Sequence, residues 1–113
     1  MISTAEVSGL PQNSHGTVTG ASGVSTLNKK SGVITTESLT TAAAGVYTET
    51  LTNSEIKAGD IVLATVSSTG TGNPVVTSIV VTAGQAVISI QNIAASAAFN
   101  AALVISFVVF NLN

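Results

Sequence analysis

Pro74-Val-Val-Thr-Ser-Ile-Val-Val81, followed by Thr82-Ala-Gly-Gln85 and then Ala86-Val-Ile-Ser-Ile-Gln91, decides the fold class of this chain. Two runs dominated by β-branched residues flank a four-residue connection, and Gly84 supplies the positive φ that such a turn can require. In the second run Ala86, Ile88 and Ile90 alternate with Val87, Ser89 and Gln91. That period of two gives a strand with one apolar and one mixed face. The spacing predicts a β-hairpin.

Working outward, Ala101–Asn111 reads as the last strand, and both of its faces are apolar: Leu103, Ile105, Phe107 and Val109 on one, Ala102, Val104, Val108 and Phe110 on the other. Each large apolar side chain left in water forgoes about 1.5–3 kcal/mol, and the exposed row invites aggregation. Such a strand must be covered on both sides, either at the centre of a sandwich or by burial of its outer face in an oligomer. Upstream, Gly32–Leu39, Val46–Thr52 and Asp60–Ser67 are further short strands separated by turn residues. Thr40–Gly45 is a small-residue link, and Ser68–Asn73 is a flexible loop. Thr52 and Glu55 have capping-box spacing, which allows one helical turn in Asn53–Gly59. The Ala-rich Asn92–Asn100 connection has room for another. The expected architecture is all-β: an antiparallel, jelly-roll-like β-sandwich over residues 32–113.

Residues 1–31 read differently. Ser, Gly, Thr and Asn dominate, Gly9, Pro11, Gly16, Gly20 and Gly23 punctuate the stretch, and no period is sustained. It is expected to be an extended arm, whose patches Thr17–Thr19 and Val24–Leu27 can add a strand to a neighbouring sheet edge. Met1–Leu10 has neither a basic nor an apolar signal region, so no secretory leader is expected. The most apolar run, Ala101–Leu112, is too short to span a bilayer as a helix.

Composition agrees with strands and narrows the chemistry. Of 113 residues 7% are charged and 45% hydrophobic, the balance being filled by small Ser, Thr, Ala and Val rather than helix formers. The formal net charge is -2, with three lysines and no arginine, so phosphate neutralisation by a basic patch is not expected. So few charges give weak protection against association, which suits a molecule that lives in an assembly. The chain has no cysteine, which removes disulfides, thiolate nucleophiles and Cys-based zinc sites. His15 is the sole histidine and sits in the arm, where it reads as a solvated loop residue. A serine triad built on it would rest its base on the least structured segment. Glu6, Glu37, Glu49, Glu55 and Asp60 are scattered singly, without the facing pair of a glycosidase or the clustered Asp and Asn of a calcium loop. The Gly-rich Ser68–Gly72 has no phosphate-loop context. Tyr47 is the only tyrosine and tryptophan is absent, so aromatic platforms for sugars are scarce, and Tyr47 reads as a core-edge residue. No catalytic, cofactor or metal residue is expected, and the chain reads as a non-enzyme.

The stretches Ser31-Gly-Val-Ile-Thr-Thr-Glu-Ser-Leu-Thr-Thr-Ala-Ala-Ala-Gly-Val-Tyr-Thr-Glu-Thr-Leu-Thr-Asn-Ser-Glu-Ile56, Ala58-Gly-Asp-Ile-Val-Leu-Ala64 and Asn100-Ala-Ala-Leu-Val-Ile-Ser-Phe-Val-Val-Phe110 resemble a β-sandwich domain that recurs in virion proteins of tailed bacteriophages. The resemblance runs from about Lys30 to the end and leaves the arm outside. Such domains occur in capsid decoration (cement) proteins and in tail or fibre proteins, usually as trimers, with no catalytic residues to carry over. The resemblance implies a cement protein at the capsid surface of a virion, a homotrimer whose partners are the major capsid protein or other virion proteins, not nucleic acid or membrane. The alternative it implies is a tail-fibre or adhesin-like module binding host surface glycans. The interaction residues expected are Val18, Val24 and Leu27 in the arm and Val108, Phe110 and Leu112 at the end of the last strand.

Overall fold

The structure, a computed structural model, describes residues 15–111. Eight strands make two four-stranded sheets: β1 (His15–Thr19), β2 (Val24–Thr26), β3 (Ser31–Thr35), β4 (Val46–Thr52), β5 (Ile61–Ser68), β6 (Pro74–Thr82), β7 (Gln85–Asn92) and β8 (Leu103–Phe110). One sheet has the order β1-β3-β8-β5 and the other β2-β4-β7-β6. They pack face to face around a single apolar core, the arrangement of a β-sandwich.

The predicted hairpin is β6–β7, in which Val80 faces Val87 and Gly84 has a φ of 83°. Along β7 the alternation reads directly as burial: Ala86, Ile88 and Ile90 are fully buried, and the intervening residues are partly exposed. On β8 the phase carrying Leu103, Ile105, Phe107 and Val109 faces the core. Ile34, Leu51 and Val62 meet these from the neighbouring strands, and Leu39, Ile56 and Phe99 close the ends from the loops.

Both sheets are mixed, where the sequence leads one to expect antiparallel pairing throughout. β1 runs parallel to β3 and β2 parallel to β4, while the remaining pairs are antiparallel. The chain alternates between sheets, β1 to β2 to β3 to β4, so it winds once around the core before β3 arrives beside β1. Residues 20–30 thus serve as the crossover that a parallel pair needs. The change of sheet between β1 and β2 is made by a two-residue turn in which Ser22 and Gly23 both have positive φ, 54° and 78°. Ala21 and Val24 close it by exchanging hydrogen bonds of 3.0 and 3.1 Å.

The part of the expected arm within the described residues is therefore paired to the body, and its two strand patches extend the chain's own sheets. Met1–Ser14 lies outside the described residues. Close packing explains the composition of β1 and β3. Gly16 and Gly32 are register partners, and a Cβ on Gly32 would stand 2.6 Å from Leu27 Cδ2, 2.7 Å from the Gly16 carbonyl and 3.1 Å from Phe107 Cε1. The two glycines form the slot that the Leu27 side chain enters.

No helix forms among the described residues, including the two places where a helical turn is allowed by sequence. In each, a buried asparagine captures the turn's own amides. Asn53 Oδ1 accepts the Glu55 N–H at 3.0 Å while its Nδ2 donates to the Lys29 carbonyl. Asn92 Oδ1 accepts from the N–H groups of Asn73 and Ala94, and its Nδ2 donates to the carbonyls of Thr41 and Ala97. Side-chain bonds of this kind compete with the helical pattern.

Candidate interaction surface

β8 is an interior strand of its sheet, which protects its edges but covers only one of its faces. The outer face holds Val104, Ser106, Val108 and Phe110, and the register places Ile61 opposite Phe110, Leu63 opposite Val108 and Thr65 opposite Ser106. Ile61 is 46%, Leu63 55% and Phe110 48% exposed. Val33 lies across β8 from Thr65, also opposite Ser106, and is partly exposed. The small Ser106, set between larger neighbours, leaves a shallow depression of about 280 Å³ lined by Leu63, Ala64, Thr65, Ser106, Phe107 and Val108. The outer ends of β5 and β8 thus form one contiguous apolar patch, the kind of exposed surface that marks interaction sites.

This patch adjoins the edge strand β5. Sheet edges are ordinarily blunted by shortness, proline, bulges or charge. β2 has three residues, and β6 carries Pro74 and a bulge between Val76 and Ser78. β5 has eight residues, unbroken register against β8, and no proline, glycine or charged side chain. Its outer main-chain groups are unpaired within the sheet, and β6 of the facing sheet packs beside it without joining the ladder.

Of the six interaction residues expected from sequence, Val108 and Phe110 lie together in this patch. Val24 is half-exposed on the opposite face of the molecule, in a row with Thr50 and Val87. Val18 and Leu27 pack against the core. Leu112 lies outside the described residues. Sequence reading missed Ile61 and Leu63. The signal was their period-two spacing in Asp60–Ser67, yet Val62, Ala64 and Val66 make the other phase equally apolar, so the outward face could not be chosen.

The titratable groups are dispersed. His15 is exposed on β1, a strand rather than a loop, with Nδ1 2.9 Å from Ser31 Oγ. Asp60 is buried and holds a turn: Oδ2 accepts the Lys57 N–H at 2.8 Å and the Asn111 side-chain amide. Tyr47 is half-buried and donates its hydroxyl to Glu49 Oε1. Burial, the hydrogen bond to Glu49 and the charges of Glu49 and Glu37 hold that hydroxyl well above its usual range. Among the described residues no group of three or more His, Asp or Glu side chains is placed to hold a metal ion, and no helix is long and apolar enough to cross a membrane. No protein-family model matches the chain, and no curated protein or solved structure is detectably similar to it.

Proposed function

We propose that this protein is a non-enzymatic structural component of a virion, a capsid decoration protein that binds the capsid surface and holds neighbouring capsomers together. The observation that carries the assembly reading is the Ile61–Phe110 and Leu63–Val108 patch beside the edge strand β5. Apolar area supplies the driving force of association, and strand edges supply orientation. The patch and edge are assigned to the trimer seam and to the shell contact. The virion setting rests on the sequence resemblance from about Lys30 to the end of the chain.

The tail-fibre or adhesin reading has less support, because sugar platforms need free aromatic faces, tryptophan is absent, Tyr47 is half-buried, and the half-exposed Phe110 lies within the apolar patch. Purified protein should run as a trimer by light scattering and co-sediment with shells of its capsid protein at near-stoichiometric copy number. A monodisperse monomer that ignores shells but binds immobilised glycans would replace the cement reading with the adhesin one.

A further inference from the structure

Two buried side-chain oxygens among the described residues have no hydrogen-bond partner, Glu49 Oε2 and Ser25 Oγ. They belong to neighbouring strands. Ser25 is buried on β2 opposite Leu51, and Glu49 is buried on β4 two residues before Leu51. With strands ~4.8 Å apart and a rise of ~3.3 Å per residue, the two backbones are about 8 Å apart on the diagonal. Both side chains face the interior, and they do not bond one another.

The turn is pared down where it crosses this corner. A Cβ on Gly20 would stand 2.9 Å from Glu49 Oε2, and one on Gly23 would stand 3.0 Å from the Thr48 carbonyl and 4.0 Å from Tyr47 Oη. Tyr47 donates to the other Glu49 oxygen. Glu37, exposed on the loop after β3, reaches the same turn through Oε1, which accepts the Ser22 N–H at 2.8 Å. Glu37 and Glu49 thus meet the same short turn, the one at the Ser22 amide and the other beside Gly20.

A buried carboxylate with a bare oxygen is costly unless a positive charge or a proton neutralises it. We propose that the corner formed by Glu49, Glu37, Tyr47 and Ser25 beneath the Gly20–Gly23 turn binds one divalent cation of the calcium class. Carboxylate, hydroxyl and main-chain carbonyl oxygens are the donors of a hard cation, and imidazole and thiolate are absent from the corner. Two carboxylates balance one divalent charge. With the remaining donors neutral, the affinity falls in the weak range of roughly 0.1–1 mM. The cation fastens the β1–β2 turn, and with it the first two strands, to β4. This inference is independent of the assembly reading.

The chain carries its own reporter, because Tyr47 is its only tyrosine and it has no tryptophan. Terbium(III) luminescence excited through tyrosine therefore arises only from metal near Tyr47. Titration of the full-length protein should give saturable emission that calcium reverses. The emission should fall at least tenfold in Glu49→Gln, weaken in Glu37→Gln and persist in Glu55→Gln. Calcium should raise the unfolding midpoint of the wild type and leave that of Glu49→Gln unchanged. Should Glu49→Gln fail to fold, the exposed Glu37→Gln carries the comparison. Absence of saturable emission, or emission indifferent to both substitutions, overturns the proposal. So does a wild-type midpoint that calcium leaves unchanged.

Discussion

Ile61 stands directly opposite Phe110 on the outer face of the β8 sheet, and each leaves about half its surface in water. Leu63 and Val108 form the next row. A cross-strand pair normally stabilises its own sheet. Here it also offers an uncharged surface at the edge strand β5.

Leu63→Lys places a charge in that patch without entering the core. Folding stability should change by no more than about 0.5 kcal/mol, as for surface substitutions in general, whereas self-association should be lost. Denaturant titration and light scattering on the same sample separate the two effects. An unchanged oligomer would remove the patch from the interface.

Gly32→Ala should destabilise by about 1–3 kcal/mol, the range for overpacked cores, because its Cβ meets both the Leu27 side chain and the Gly16 carbonyl. Adding Leu27→Ala relieves the first clash and not the second, so the double variant should stay below the wild type. Chemical denaturation of the wild type and the two variants checks this. Full recovery in the double variant would show that β1 can shift away from β3.

Asn92→Leu removes two donated and two accepted hydrogen bonds from a buried junction where the segments carrying Thr41, Asn73 and Ala94–Ala97 meet. The Thr41 carbonyl keeps the Phe99 N–H, but stripping the Asn73 and Ala94 amides and the Ala97 carbonyl of these bonds should cost about 3 kcal/mol or more. Hydrogen exchange should show the Asn73 and Ala94 amides losing protection first, ahead of the β6–β7 ladder.

Tyr47 links stability to alkaline pH. Its folded pKa is raised above the ordinary 10.0, first by burial and then by Glu49. The folded state therefore keeps this proton at a pH where the unfolded chain releases it. The contribution is fully present below about pH 10 and declines as pH rises above it. Tyr47→Phe should flatten the fall in the unfolding midpoint above pH 10, and an identical slope in both proteins would contradict the assignment.

The strands legible in the sequence are those with a clear phase. Val46–Thr52 coincides with β4, Pro74–Val81 and Ala86–Gln91 fall within β6 and β7, and Leu103–Phe110 lies inside the predicted last strand. β1 and β2 are not legible as strands because His15-Gly-Thr-Val-Thr19 and Val24-Ser-Thr26 each direct only one side chain inward, too little to show a period. Their order comes from pairing with β3 and β4. The allowed helical turns failed because Asn53 and Asn92 bind distant carbonyls as well as local amides, and those carbonyls are adjacent only in the folded chain.

Local chemistry alone determined that this is an all-β chain: branched side chains at period two, interrupted by turn formers, have few other low-energy conformations. Tertiary structure decided which apolar phase of β5 and β8 meets the core and which meets water. It also tied Glu37 to the Ser22 amide of the β1–β2 turn. Pairing and facing depend on which strands become neighbours, and that is set by packing among residues far apart in the chain.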